Sequence, residues 1–292
     1  MMCMNPYPGF QGKFFSMPHR NVVPKPLQKP HPPIWAACSN RDSVHMAAHL
    51  GIGALTFAFV NAEEAKFWVD EYYETFKTKC RPIGQMVNPN VAMLTGFMCH
   101  EDNETAIQRG MEGAQFFAYG LGHYWRDGEH VPGRTNMWSD FKKQPSSAVE
   151  RMERERKKAG MTGIGSPKQL IENFLAFEKA GVDQLIFLQQ SGNYRHEHIC
   201  QSMELFAKEV LPQFKEREAI REKLKQEDLA PFVADALLNV VKPGPMCEIP
   251  AVAAYPLTWN SMSAENAQGI PDRRPGLSAF WQIQVGGNRS KK

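Results

Sequence analysis

The sequence lacks the features that assign a chain to several common classes of protein. Its six cysteines are widely scattered and include no CxxC pair, which disfavours a disulfide framework and a cysteine metal site. No apolar run approaches the roughly 18 residues of a membrane span, and the first residues lack the basic region and apolar core of a secretory signal. Lys and Arg exceed Asp and Glu by only 34 to 31, too little to indicate a nucleic-acid partner. We therefore expect a reduced, cytoplasmic protein that binds neither membrane nor nucleic acid.

Common catalytic motifs are also missing. There is no GxSxG, no phosphate-binding P-loop and no GxGxxG after a predicted strand, which disfavours serine hydrolases, kinases and dinucleotide-fingerprint enzymes. His196, Glu197 and His198 are not an HExxH zinc helix, because adjacent helical positions point away from each other. We expect these histidines to be solvated or to cap helices, and we predict no metal site. The same expectation holds for His100, His123 and His130. The sequence assigns no catalytic residue.

An alternation of strand and helix signals is what the sequence does contain. Five prolines within residues 24–33 exclude helix and central strand, so this segment is predicted to be a rigid, extended lead-in. Residues 34–38 then form a short apolar run, and residues 39–40 are typical of a strand end and a helix start. Gly51 is predicted to end that helix, and the apolar run 54–60 predicts the next strand. Together these signals predict a βαβ unit.

Four such strands are predicted, each followed by an amphipathic helix. They occupy residues 34–38, 54–60, 91–99 and 183–189. Strands that alternate with helices are typical of a parallel sheet with its helices outside. Residues 119–151 are predicted to be a long irregular connection, and the last helix of the alternation is predicted to end near Pro212.

The motifs of the first unit resemble the bacterial luciferase-like flavin monooxygenases. The residues that carry the likeness are Pro24–Gln28, Pro30–Trp35, Ala47–Ala48 and Gly51. The likeness extends more diffusely through Gly163–Pro167 and Ala180–Gln184 to Leu205–Pro212. The order of these motifs is more specific than any one of them.

The resemblance implies a TIM (β/α)8 barrel, of which this sequence supplies four units. The family's first four units would lie upstream of Met1. We therefore expect an α/β fold that is the carboxyl-terminal half of such a barrel, from a longer protein or a truncated gene product. An unusual small α/β fold, or a half barrel completed by another chain, stays open, because a half barrel leaves two unpaired edge strands. The predicted domains are a partial luciferase-like barrel (1–218), a charged helical extension (219–242) and an irregular, poorly ordered tail (243–292).

The resemblance also implies a flavin. Family members use reduced FMN, usually supplied by a separate flavin reductase, to activate oxygen and insert one atom into a small organic substrate. Related members use the deazaflavin F420 for hydride transfer. The catalytic residues that the family draws from its early strands have no counterpart here, so the chain alone is expected to be weak or inactive. The alternative is a non-catalytic subunit that pairs with an intact homologue, because barrels of this family often form dimers.

Two turns are candidates for binding the cofactor phosphate. The first comprises Ala37, Cys38, Ser39 and Asn40, and the second comprises Gly165 and Ser166. Free N–H groups and the helix dipole favour an anion at a helix start. The resemblance favours the first turn, because luciferase-like proteins commonly hold cofactor phosphate near it. From the residues alone, plain helix capping by Ser39 or Asn40 in the first turn, and by Ser166 in the second, stays open, and Cys38 could simply be a small packed thiol.

Overall fold

The computed structural model describes residues 4, 6–57, 60–124, 128–144 and 163–240. The predicted tail, residues 243–292, therefore lies outside the described residues. The chain divides into two compact units. One comprises residues 1–23 and 245–292, and the other comprises residues 24–244.

The first unit contributes a short antiparallel hairpin. Its strands are β1 (Phe10–Gln11) and β2 (Ser16–Met17), with Phe10 opposite Met17. All the remaining elements belong to the second unit.

The second unit is built on a four-stranded parallel sheet. Its strands follow the order β3-β4-β5-β8, and a smaller parallel sheet joins β6 to β7. The strands are β3 (Trp35–Ala37), β4 (Gly53–Phe57), β5 (Val91–Gly96), β6 (Met98–Cys99), β7 (Ile164–Gly165) and β8 (Gln184–Leu188). Each of the four predicted strands contributes a strand to the larger sheet, and their parallel arrangement is confirmed. Residues 58–59 of the predicted strand 54–60 lie outside the described residues.

Helices follow the strands along the chain. They are α1 (Arg41–His49), α2 (Ala62–Lys79), α3 (Asn103–Gly122), α4 (Met137–Lys142), α5 (Pro167–Lys179), α6 (His196–Glu209) and α7 (Leu211–Leu238). Within the described residues, none of these helices is both long and apolar enough to cross a membrane.

Local signals place the ends of the first helices. The side-chain oxygen of Asn61 accepts a hydrogen bond from the backbone N–H of Glu64 at 2.8 Å, which caps the start of α2. Gly51 follows α1 with φ of +68°, a backbone conformation that glycine adopts without strain. A Cβ atom there would also lie 2.9 Å from Val87 Cγ1. Gly51 therefore ends α1 as the sequence predicts.

The main core lies between the helices and one side of the sheet. It includes side chains from α1, α2 and the facing positions of β4 and β5, among them Val44, Ala47, Ala54, Val69, Tyr72, Phe76, Val91 and Met93. The Tyr72 hydroxyl satisfies its hydrogen-bonding need inside this core by donating to the carbonyl of Ile52 at 2.8 Å. Helices therefore cover one face of the sheet, and the opposite face does not belong to this core.

The predicted strand 91–99 is interrupted in the structure. Phe97 separates β5 from β6, and its fully buried ring stacks on Phe187 with 4.4 Å between ring centroids. Beyond this break, Met98 pairs with Ile164. The segment predicted as a turn at Gly165 therefore contributes a short strand, β7, before its helix begins.

The connection over residues 119–151 is partly helical. Helix α3 continues to Gly122, and α4 begins at Met137 after Asn136 accepts a hydrogen bond from the N–H of Ser139 at 3.0 Å. The Trp138 ring lies 5.0 Å from that of Phe116 on α3. Trp138 therefore packs against α3 within the chain.

Pro212 begins a helix instead of lying near the end of one. It occupies the first turn of α7, where the missing N–H of proline has no intrahelical partner to lose. Helix α7 continues without a break to Leu238, so the predicted boundary at residue 218 falls inside it. The three-domain division stays a prediction.

Candidate functional site

The carboxyl ends of the parallel strands meet at one rim of the sheet. Ligands of parallel α/β folds bind at this rim, because the strand-to-helix turns and helix starts converge there. The rim includes the turns after β3, β6, β7 and β8. Both candidate phosphate turns are therefore on the face where a ligand site is expected.

The turn after β3 is a capped helix start. The Asn40 side-chain oxygen accepts a hydrogen bond from the Ser43 N–H at 2.9 Å, and the Ser43 hydroxyl accepts one from the Asn40 N–H at 3.2 Å. Ser39 is exposed, and its hydroxyl makes no hydrogen bond with another described residue. The N–H groups of Arg41 and Asp42 lie in the first turn, ahead of the intrahelical hydrogen bonds. Capping by Asn40 thus leaves donors available to an anion.

Two neighbours in this turn differ in exposure. Ala37 is exposed at the end of β3, whereas Cys38 is only 2% exposed. The Cys38 thiol donates toward the carbonyl of Ser43 at 3.3 Å, and burial raises its pKa despite that contact. Cys38 is therefore a packed, protonated thiol at neutral pH, and only its backbone belongs to the turn.

The cation beside this turn is already paired. The Arg41 guanidinium forms a salt bridge with Glu71 of α2, with Nε donating to Oε2 at 2.8 Å. The same carboxylate lies 3.5 Å from His45 Nε2. Backbone donors and the Ser39 hydroxyl therefore supply most of the attraction for an anion here.

The turn after β7 is held by a residue that the sequence analysis missed. Asn103, the first residue of α3, accepts a hydrogen bond from the Ser166 N–H at 3.2 Å. The Ser166 hydroxyl makes no capping bond to its own helix. The Gly165 carbonyl accepts a hydrogen bond from the His100 N–H at 3.3 Å. An asparagine at a helix start is usually interpreted as a cap of its own helix. The sequence therefore gave no sign that Asn103 bonds to Ser166, 63 residues further along the chain.

The two candidate turns are not brought into one cluster. Strand β3 pairs with β4, whereas β7 pairs with β6. The Asn40 turn and the Ser166 turn therefore occupy separate positions along the rim, and a single phosphate would bind only one of them.

Histidines on the rim serve local structure. His100 Nδ1 accepts a hydrogen bond from the Asp102 N–H at 3.0 Å, and the Asp102 carboxylate caps α3. Hydrogen bonds from Thr105 lower the pKa of that carboxyl. Partial burial, followed by the charge of Arg109, lowers the pKa of His198. Within the described part of the chain, no cluster of His, Cys, Asp and Glu could hold a metal ion.

The loop after β8 is fixed by contacts with α3. The Ser191 hydroxyl donates to the carbonyl of Gly113 at 2.7 Å, and the Tyr194 hydroxyl donates to that of Gly110. A Cβ atom on Gly113 would lie 2.1 Å from the Tyr194 ring. The spacing of Gly110 and Gly113 could have predicted this contact from the sequence. Two glycines on one face of a helix allow another segment to approach the helix backbone closely.

The sheet face opposite the core is apolar apart from the exposed Gln184, and it is incompletely covered. We call it the inner face. It carries Trp35, Ala37, Leu55, Ala92, Leu94, Ile186 and Leu188, which alternate with core positions in the strand register. Ile186 is 39% exposed, and Leu55, Leu94 and Leu188 are half-buried. This surface adjoins the rim and offers an apolar wall to a flat ring system.

Comparison with protein-family models gives a match over residues 4–184 to the family described as "Luciferase-like monooxygenase". The chain belongs to this family. The resemblance carried by the proline-rich lead-in and the first βαβ unit is confirmed. In a luciferase-like protein, the four parallel strands with outer helices correspond to half of an eight-stranded barrel.

One relative is the oxygenase component of a flavin-dependent trigonelline monooxygenase from Acinetobacter baylyi. It is 25% identical over 213 residues, which are 72% of this chain and 56% of the relative. The chain therefore spans about half the length of the curated relative that it matches.

One solved structure shows the same fold. The monooxygenase RslO1 from Streptomyces bottropensis superposes with a TM-score of 0.50 at 20% identity, over 70% of this chain and 55% of RslO1. The coenzyme F420-dependent tetrahydromethanopterin reductase from Methanopyrus kandleri gives a TM-score of 0.46 at 16% identity, over 70% of this chain and 57% of the reductase.

Proposed function

We propose that this chain is part of the oxygenase component of a two-component, FMN-dependent monooxygenase that acts on a small organic substrate. Family membership and the relative from Acinetobacter baylyi support the flavin-dependent oxygenase. The single observation that carries the binding step is the turn after β3, where an exposed serine and unpaired first-turn N–H groups lie on the rim.

The residues present fit the phosphate end of FMN. Ser39 offers a hydroxyl, and the N–H groups of Arg41 and Asp42 offer backbone donors at the positive end of α1. The capping box fixes the backbone of this turn before any ligand arrives, so little ordering is required on binding. We infer that Ser39 and Asn40 form the principal phosphate turn, with the turn at Gly165 and Ser166 as a secondary position.

The inner face fits the ring end of the same ligand. Leu55, Leu94 and Leu188 supply apolar contacts next to the rim. Their role is to orient the ring and to exclude water from the site. When bound, reduced FMN supplies the electrons with which oxygen is activated for insertion into the substrate. A separate reductase would deliver that reduced flavin, consistent with the component name of the relative.

Flavin fluorescence quenching tests the phosphate turn. We expect the full chain to bind FMN weakly and riboflavin, which lacks the phosphate, more weakly still. Ser39→Asp places a carboxylate beside the phosphate, so we expect the Kd for FMN to rise at least about 10-fold, roughly 1.4 kcal/mol of repulsion. The Kd for riboflavin should stay unchanged.

The matched control is Ser16→Asp, the same substitution at an exposed serine in β2 of the other unit. It should leave both dissociation constants at their wild-type values. Equal loss of FMN binding in the two variants, or equal affinity of the wild-type chain for FMN and riboflavin, would show that the Ser39 turn does not bind phosphate.

A further inference from the structure

A cleft of about 390 Å³ lies on the helix side of the sheet, between β8 and helices α5, α6 and α7. Phenylalanine rings from each of these four elements line it, among them Phe187 of β8, Phe174 of α5, Phe206 of α6 and Phe214 of α7. Its lining includes none of the residues of the two candidate phosphate turns. A ligand of this cleft would therefore bind apart from the proposed flavin site, and its binding does not depend on that proposal.

The four phenylalanine rings form a continuous apolar wall. The ring centroid of Phe174 lies 5.4 Å from that of Phe187 and 6.1 Å from that of Phe214, and Phe187 lies 5.2 Å from Phe206. Phe174 is buried, whereas the other three rings are partly exposed toward the cleft mouth and solvent. Small-molecule sites are typically roughly 300–1,000 Å³ and lined by such side chains. The cleft is therefore large enough for one small ligand with an apolar body.

Charged side chains also line this cleft, and two of them are unpaired. Arg221 and Asp183 already have salt-bridge partners. Lys215 and Glu218 line the cleft as well, and neither forms a salt bridge with another described residue. Both are exposed, and they lie three positions apart on α7, so they are neighbours on one face of the helix. An ammonium and a carboxylate are thus available to a ligand at the same opening.

We propose that this cleft binds a free amino acid with an aromatic or large apolar side chain. The ligand side chain would pack among the phenylalanine rings, with its α-carboxylate at Lys215 and its α-ammonium at Glu218. A zwitterion complements both unpaired charges, whereas a simple carboxylate or a simple amine would place its one charge near a like charge. Because both side chains are exposed, the charged end of the ligand stays in contact with water and avoids the cost of burying a charge.

Isothermal titration calorimetry of the full chain with L-phenylalanine, in the absence of flavin, tests this site. We expect one saturable site with a Kd of about 1 mM or lower. Glycine carries the same two charges without the side chain and should show no saturable binding. The ligands 3-phenylpropanoate and 2-phenylethylamine each keep the ring and only one of the charges. Each should bind at least about 3-fold more weakly than L-phenylalanine.

Lys215→Glu replaces the cation at the cleft with a carboxylate, so we expect the Kd for L-phenylalanine to rise at least about 5-fold. The Kd for 2-phenylethylamine should not rise. The matched control is Lys223→Glu, the same change at an exposed lysine of α7 that does not line the cleft, and it should leave both constants unchanged. Equal loss in the two variants would overturn the proposal. So would a lack of saturable L-phenylalanine binding to the wild-type chain, or equally tight binding of 3-phenylpropanoate.

Discussion

His31 shows how one side chain can join distant segments of the chain. It is only 7% exposed, its Nδ1 donates to the Pro32 carbonyl at 2.8 Å, and its Nε2 accepts from the Gln85 N–H at 3.0 Å. The Nε2 atom is therefore unprotonated in this arrangement. A Cβ atom on Gly84 would lie 2.4 Å from the same nitrogen, so glycine is required beside it.

The sequence identified His31 only as part of a family motif. Its partner at Gln85 lies 54 residues away, in a loop that the sequence gave no reason to place beside the lead-in. Local signals offered Ser39 or Asn40 as the cap of α1, and the structure has Asn40 in that role, bonded to a residue only three positions away. A hydrogen bond within a turn can be predicted from the sequence because both partners are close along the chain. A side-chain hydrogen bond between two distant loops cannot be predicted in this way.

We predict that His31→Ala lowers the free energy of unfolding by about 1–3 kcal/mol, because the buried N–H of Gln85 loses its acceptor. Urea unfolding at neutral pH measures the change. His49→Ala serves as the control, because His49 is exposed on α1, and should change stability by less than about 0.5 kcal/mol. Equal effects of the two substitutions would show that the His31 contacts do not stabilise the fold.

At the scale of elements, α3 packs through glycines. Apolar periodicity predicted Ala106, Ile107, Met111, Ala114 and Phe117 on its inward side. The structure buries the predicted Ala106, but it also buries Gly110 and Gly113 and leaves Ile107 41% exposed. The prediction of Ile107 is wrong because the neighbouring strand and loop approach the helix backbone so closely that only glycine fits. A hydrophobicity pattern cannot show such a contact, since glycine carries no side chain.

Two glycines of α3 give a matched pair of variants. Gly113→Ala should destabilise the protein by about 1–3 kcal/mol, because its Cβ would lie 2.4 Å from the Ser191 carbonyl oxygen and force the loop to move. Gly120→Ala meets nothing within 4 Å and should stabilise the helix by about 0.5–1 kcal/mol. Thermal unfolding of both variants checks the opposite signs. A stabilising Gly113→Ala would refute the close packing of the loop on α3.

Helix α7 shows another limit of sequence reasoning at this scale. The side of α7 that faces the protein makes both apolar and charged contacts. Leu229 is buried there, and the Lys225 ammonium donates a hydrogen bond to the Asp183 carboxylate at 2.8 Å. Arg217 pairs with Glu178 at 3.0 Å in the same seam. These ion pairs connect α7 with α5 and with the residue that precedes β8, and a charged composition alone does not predict such partners. The charged helical extension over residues 219–242 stays a prediction.

At the scale of the whole molecule, the parallel alternation was predictable. Four apolar runs, each followed by an amphipathic helix, allow few other topologies, and the structure has the strands in the sheet order of the chain. The two-residue strand β7 was not predictable, because so short a segment has no period of its own. Parallel strands all end on the same side of the sheet, so their parallel arrangement already implies a shared rim. The position of the candidate site at that rim could therefore be predicted from the sequence together with the fold.

The account depends on the rim binding the flavin phosphate at the turn after β3. Amide spectra of the ¹⁵N-labelled full chain, recorded with FMN and with riboflavin, test this directly. We predict that the amide signals of Ser39, Arg41 and Asp42 shift on addition of FMN and shift much less with riboflavin. Unchanged signals at this turn, with shifts confined to the opposite ends of the strands around Asn90 and Gln184, would contradict the account.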